Sequence, residues 1–277
     1  GMQFAARFEL STAEDTIALC RDIEPEELPP ERIFEEWRKL ILRGVRISTG
    51  LTFLRDCGWL QYYPELNALV NCPQEPEWHP EGDVWTHTLL CLDAFADERI
   101  GDPYEDLVVG FGVLCHDLGK PTTTETQDNR IRSIGHTAAG EKPTRAFLGR
   151  MTRWKTLIED VVPLVTNHLR PMQLYKDDAG DGAIRRLADR VGRIDRLIRV
   201  EQADYNGRTP DTRQDSPYSH WLSRRAHDLA VRDSAPAPIV KGRHLIDMGL
   251  EPGPRFGPIL KACYEAQLDG HFNTLED

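Results

Sequence analysis

At 277 residues the chain is long for one helical domain, which points to about two compact units with room for a real core. Its 40 % hydrophobic content is that of an ordinary soluble globular protein, and a net charge of -11 repels nucleic acid over the molecule as a whole. A free-standing RNA binder is thereby disfavoured, and any RNA contact has to come from a local basic patch. No stretch approaches the roughly 20 apolar residues that span a bilayer. The start, Gly1-Met2-Gln3-Phe4, lacks a basic region followed by a long apolar run, so a cytoplasmic protein without membrane contact is expected. Gly1 ahead of Met2 reads as a residue left by tag removal, with Met2 as the natural start. Cys20, Cys57, Cys72, Cys91, Cys115 and Cys263 are scattered without a Cys-x-x-Cys pair and read as reduced core residues.

In chain order, hydrophobic residues recur at spacings of three and four almost throughout, and alternating strand patterns of useful length are absent, which predicts an all-α fold. Residues 1–70 carry several amphipathic helices. Ser11 to Glu14 is a plausible capping box, and Pro29-Pro30 opens a helix whose stripe is Ile33, Trp37, Leu40 and Ile41. A polar, proline-containing stretch from Asn71 to Asp83 leads into a second part, 71–207. There Val84 to Ala94 forms one helix, and Leu107 to Cys115, apolar on all sides, forms a central one. Two further stripes are Phe147, Met151, Trp154, Leu157, Ile158, Val161 and Ile184, Leu187, Val191, Ile194, Leu197, Ile198. The third part, 208–277, begins with a polar linker from Arg208 to Pro217. It holds a helix around Trp221 to Val231, a Gly/Pro-rich turn from Gly249 to Pro258, and a final helix through Leu268.

Chemistry concentrates in the middle part. His87 shares a helix face with Val84, Leu90, Cys91 and Ala94 and points inward. The central helix delivers His116 and Asp117 at its C-terminal end, just before Gly119, where a buried anion faces the negative end of the helix dipole unless a cation is near. Asp204 lies four and seven residues after Val200 and Leu197, again on a buried stripe. Taken singly, His87 reads equally as a hydrogen-bonded core residue and His116-Asp117 as a helix-end pair. Taken together, each on an inward face, His87, His116, Asp117 and Asp204 favour a divalent metal, because unpaired they would cost several kcal/mol. His136 and His168 either complete a second metal position, with Asp117 bridging ions about 3.5–4 Å apart, or serve structurally. Imidazole with carboxylate suits Zn, Mn, Fe, Co or Ni better than Ca, and the residues do not choose among these and Mg. His220, His227, His244 and His271 match no site pattern and read as surface or structural.

The order His87, His116-Asp117, Asp204 resembles the H…HD…D pattern of the HD phosphohydrolase superfamily, whose fold is a helical bundle around one or two divalent metals. The runs Trp78 to His87 and His116 to Pro121 are similar to the HD domain of bacterial tRNA nucleotidyltransferases, the CCA-adding enzymes. Ala5-Ala6-Arg7-Phe8 with Leu28 to Ile33 is similar to the helical neck of that family, and Gly242 to Pro254 with the last helix is similar to its tail. The resemblance implies an HD bundle over 71–207, flanked by a neck-like, RNA-binding-like domain over 1–70 and a helical tail over 208–277. One departure bears on function: the Gly-Ser turn and Asp-x-Asp pair of the family's nucleotidyl-transfer head do not occur in this chain, so it is not expected to add nucleotides by itself. There is also no G-x-x-x-x-G-K-[ST] loop. Thr137 departs from the acidic residue that commonly follows the histidine in related HD domains.

The expected activity is metal-dependent hydrolysis of a nucleotide, a 2',3'-cyclic nucleotide or an RNA-end phosphate. Metal held by His87, His116, Asp117 and Asp204 would bring the pKa of bound water to about 7 and draw charge from the phosphoryl oxygens. Lys120 either offsets transition-state charge or complements the helix dipole. His79, Glu81 and Asp83 line the entrance as substrate-binding residues, with capping as the other reading of Asp83. The rival expectation is a headless RNA-binding or scaffold module that holds tRNA or a separate partner. It rests on an arginine stripe, Arg185, Arg186, Arg190, Arg193, Arg196 and Arg199, which is otherwise a solvated face diluted by Asp189 and Asp195. Gly253 and Gly257 either admit a phosphate to backbone amides or form an ordinary turn.

Overall fold

The computed structural model describes residues 1–23, 28–208 and 213–276, so part of the 208–217 linker lies outside the described residues. Its helices pack into two compact units, Gly1–Leu169 with Arg196–Ser216, and Arg170–Asp195 with Pro217–Asp277. These packing units cut the chain elsewhere than the sequence boundaries at 70 and 207 do. No described helix is long and apolar enough to cross a membrane.

The first unit is built from α1 (Met2–Phe8), α2 (Glu14–Arg21), α3 (Pro30–Arg43), α4 (Ile47–Asp56), α5 (Pro64–Asn67), α6 (Val84–Asp97), α7 (Pro103–Cys115), a β-hairpin and the helices that follow it. Its centre is α7, where every residue from Asp106 to Cys115 is buried, as a run apolar on all sides requires. Asp102 caps it by accepting from the amides of Tyr104 and Glu105. Helices α3, α6 and α10 (Lys155–Asn167) lie against α7. Trp37, from the predicted stripe of α3, meets Tyr63 and Phe147 edge-on at 5.2 and 5.3 Å, and its indole N–H donates to the Tyr63 hydroxyl at 3.1 Å. Residues 1–70 therefore share a core with the helices of the middle part.

Local chemistry overrode periodicity in several places. The Ser11 to Glu14 capping box does not form: α2 begins after Ala13, without a side-chain cap. The stripe from Phe147 to Val161 is two helices, α9 (Glu141–Met151) and α10, because Thr152 is extended at φ -145°. The stripe from Ile184 to Ile198 is likewise split into α12 (Asp181–Val191) and α13 (Ile194–Gly207) at Gly192, whose φ of 73° no other residue adopts cheaply. A hairpin, β1 (Thr124–Gln127) with β2 (Arg130–Ser133), forms in a chain whose sequence shows no alternating strand pattern of useful length. Asp128 and Asn129 both sit at positive φ, 50° and 60°, which gives the two-residue turn that matches strand twist. The strands are short and polar, so hydrophobic alternation could not announce them.

The second unit holds α11 (Arg170–Lys176), α12, α14 (Pro217–Asp228), α15 (Gly242–Asp247) and α16 (Phe256–Leu268). Helix α14 packs on α11 and α12, and Tyr264 of α16 donates to Asp189 at 2.7 Å. Gly257 lies inside α16 rather than before it. The arginine stripe is not one continuous face. Arg186 pairs with Asp269 at 2.7 Å and Arg193 with Asp195 at 2.6 Å, while in the first unit Arg196 is buried between Glu105 and Asp160 and Arg199 bonds Asp106. Gly192 ends α12 between them, and acidic neighbours neutralise these charges.

Candidate metal centre

Each helix end aims one histidine at a common interior. Asp83 caps α6, its carboxylate accepting from the Thr86 amide at 2.9 Å, and sets the first turn so that His87 faces inward. His116 sits at the C-terminal cap of α7, His136 opens α8 (His136–Ala139), and His168 caps α10. In His116, His136 and His168 the Nδ1–H donates to the backbone carbonyl three residues earlier, Val113, Ser133 and Val165, each at 2.7 Å. That bond assigns the tautomer and leaves Nε2 as a lone pair pointing at the centre. His87 obtains the same orientation from a side chain: Glu81 Oε1 lies 2.7 Å from its Nδ1 and 2.8 Å from Nδ1 of His79.

The acceptors converge. Nε2 of His87 is 3.1 Å from Asp204 Oδ1, and Nε2 of His116 is 3.2 Å from Asp117 Oδ2. The other oxygen of Asp117, Oδ1, is 3.5 Å from His136 Nε2 and 3.9 Å from His168 Nε2, with 3.3 Å between those two nitrogens. Asp117 thus turns one oxygen to His87 and His116 and the other to His136 and His168. His116 Nε2 and both Asp117 oxygens are buried without a hydrogen-bond partner. Lys120 Nζ does come within 2.7 Å of Asp117 Oδ2, an ion pair without hydrogen-bond angles, and is itself bonded to Gln74 at 2.6 Å. Orphaned acceptor atoms this deep cost about 1–3 kcal/mol each, so the residues present fit a divalent cation.

Electrostatics agree. Burial pushes the Asp117 carboxyl up, but His116 and Lys120 outweigh it and hold the group well below the carboxylate range. Burial is likewise outweighed at Asp204, by Arg208 and then His87. At Glu81 the bonds from His79 and His87 overcome burial and bring the carboxyl down to about 2. Burial, then His116 and His136, depresses His168 to about 3, so it is a neutral imidazole with a free lone pair at neutral pH.

Of the residues predicted for the entrance, His79 lines the pocket over the centre. Glu81 lies beneath it, 3 % exposed, as the partner of His87, and Asp83 is the cap of α6. Sequence reasoning missed three neighbours. Arg208, just after α13, holds both Asp204 oxygens at 2.9 and 3.0 Å, and its i,i+4 spacing from Asp204 was its available signal. Gln74, which orients Lys120, had no local signal. Cys91 Sγ is 3.3 Å from His87 Nε2, one turn along α6.

Gly119 lets the chain after Asp117 pass against the His136 turn. A Cβ there would lie 2.0 Å from the His136 carbonyl oxygen and 2.6 Å from the Gly140 nitrogen, both backbone atoms. Gly119→Ala should therefore destabilise the fold by about 1–3 kcal/mol, measured by denaturant unfolding. A wild-type midpoint in that variant would show that the His136 turn yields freely.

The profile of the HD domain family matches residues 84–206, the segment that carries His87, His116, Asp117, His136, His168 and Asp204. The matched segment is an HD domain. HD domains form a superfamily of metal-dependent phosphohydrolases that bind divalent metals, and the matched segment carries a His/Asp cluster that could hold a metal ion. The chain is also 36 % identical to a multifunctional CCA protein of Laribacter hongkongensis strain HLHK9, over 82 % of its own length and 56 % of that protein. It is 33 % identical to a multifunctional CCA protein of Cupriavidus metallidurans, over 84 % of its own length and 55 % of that protein. The chain thus spans about half the length of the curated relatives it matches.

Proposed function

We propose that this chain hydrolyses phosphoesters at a two-ion centre, with His87, His116, Asp117 and Asp204 as ligands of one ion and Asp117, His136 and His168 as ligands of the other. The observation that carries this reading is Asp117, whose two oxygens face two separate groups of histidine lone pairs. Bound divalent ions supply Lewis acidity toward the phosphoryl oxygens and generate a nucleophile from water near neutral pH. Lys120 and Arg208 flank the two carboxylates and offset charge developing on the phosphoryl group. The nitrogen and oxygen donors suit Mn, Fe, Co, Ni or Zn, with Mg also compatible with the carboxylates. Kinship with multifunctional CCA proteins favours a nucleotide, a 2',3'-cyclic nucleotide or an RNA-end phosphate as substrate, with tRNA as the larger partner. The rival RNA-binding or scaffold reading loses its support where the arginines of the stripe pair with acidic side chains.

The deciding experiment is metal analysis combined with a panel of cyclic nucleotides, nucleoside monophosphates and tRNA ends. Two ions per chain and turnover of at least one phosphoester are expected, falling to one ion in the double variant His136→Ala, His168→Ala. A fully metal-loaded protein inactive across the panel would sink the hydrolase reading, and salt-sensitive tRNA affinity independent of Asp117 would then favour the scaffold.

Glu81 supplies a separate expectation. A carboxylate on the far nitrogen of a metal-bound histidine raises its basicity and fixes its tautomer, and losing such a partner typically costs about 10–100-fold in metal affinity. Glu81→Gln should weaken ion binding by that amount in a chelator-competition titration. An unaltered affinity with a raised KM would instead return Glu81 to a substrate-lining role.

A further inference from the structure

The pocket above the centre has two chemically different halves. Its floor is ionic, with Asp117, Asp204, Lys120 and Arg208. Its more exposed lining includes two large apolar side chains, Trp78 and Ile131, beside the polar Glu75, His79 and Ser133. Trp78 is 59 % exposed, although a tryptophan left in water forgoes the large apolar burial its ring offers elsewhere. This part of the lining is nevertheless a built feature. The Trp78 amide donates to the Glu75 carbonyl at 3.1 Å, and the Glu75 carboxylate accepts from the Ile131 amide at 2.8 Å, tying the Trp78 turn to the hairpin. Along β2 the exposed Arg130 and Arg132 alternate with Ile131 and Ser133, which face the pocket. The pocket measures about 210 Å³. Sites that enclose a whole drug-sized ligand start at roughly 300 Å³, so a pocket of this size has room for a phosphate and a sugar but not for a whole nucleotide.

Resting on the hydrolase reading, we propose that Trp78 is a stacking platform, opposed by Ile131, for the base of a nucleotide or terminal RNA residue whose phosphoester lies over the ionic floor. Stacking on an aromatic face is sequence-tolerant, since every base has a π surface, so the site takes all four bases. The substrate class is a base-bearing phosphoester, and simple sugar or alkyl phosphates are poor substrates.

The test compares, in metal-loaded protein, 2',3'-cyclic nucleotides of the four bases with methyl riboside 2,3-cyclic phosphate, which carries the same phosphoribose and no base. The readout is the ratio of the two KM values. Wild type is expected to favour the base-bearing probe roughly 5- to 150-fold, Trp78→Ala to bring the ratio close to one, and Trp78→Phe to retain most of it. A ratio near one in wild type, or a ratio that Trp78→Ala leaves unaltered, overturns the platform while the hydrolase reading stands. If neither probe is turned over, equilibrium binding of nucleoside monophosphates against ribose 5-phosphate reads the same ratio. Base-dependent affinity lost in Trp78→Ala then supports the platform although hydrolysis has failed, and base-independent affinity overturns it.

Discussion

Asp117→Ala is expected to remove both ions and to lower kcat/KM for any phosphoester substrate by roughly 10³-fold or more. The size of the effect follows from position. Asp117 faces both histidine groups, with Oδ2 3.2 Å from His116 Nε2 and Oδ1 3.5 Å from His136 Nε2. Its loss also strands Lys120, which is buried and whose ammonium, among the described residues, is met by Asp117 and Gln74. Removing one member of a buried pair costs more than the pair contributes, since the surviving charge keeps its desolvation penalty. Metal content measured beside kinetics separates the two consequences. Loss of activity with two ions retained would make Asp117 a proton-handling group instead of a bridge, and retention of both would remove it from the centre. Asp117→Asn keeps the volume and one oxygen, so it should hold one ion weakly and fall between wild type and alanine.

Removing the metal should lower thermal stability strongly. Ligand that binds only the folded state at about 100 times its Kd adds about 2.7 kcal/mol, which for a chain of this size shifts Tm by roughly 5–10 °C. Here the gain has an identifiable source. Without a cation the orphaned His116 Nε2 and Asp117 oxygens keep their desolvation cost, while the rings of His87, His116 and His168 crowd edge to face at 5.2–5.4 Å. Thermal unfolding with excess chelator, then with each candidate divalent ion restored, reads the effect and ranks the metals. Equal Tm values with and without metal would show that the cluster is satisfied by its own pairs. In Asp117→Ala the chelator-induced shift should vanish, which ties this measurement to the first.

The residues of the centre were visible in the chain because helical periodicity is a strict rule. A histidine three or four residues from Val84 and Cys91, and an aspartate four and seven residues after Val200 and Leu197, must lie on buried stripes, and the run before His116 is apolar on every side. What surrounds the centre was less visible. Glu81 looked like an entrance residue because it precedes the helix of His87, and it is instead the anchor of the His87 ring. The hairpin went unseen because four-residue polar strands carry no hydrophobic alternation, although Asp128-Asn129 between Thr/Glu/Thr/Gln and Arg/Ile/Arg/Ser was a usable turn signal. The arginine stripe looked continuous because its spacing survives Gly192 in the sequence, whereas the backbone turns there.

The sequence by itself determined the helical class, the inward faces of α6, α7 and α13, and the identity of the groups that need a cation, since each follows from residue type and spacing within one helix. Only the tertiary structure decided how those groups meet: which oxygen of Asp117 faces which histidines, that Arg208 and Gln74 join the site, and that Trp78 and Ile131 line its pocket. The reason is physical. Periodicity acts within a helix and assigns a face, but the distance between side chains on different helices depends on core volume and close backbone approach, as at Gly119 against His136, and no local rule encodes those.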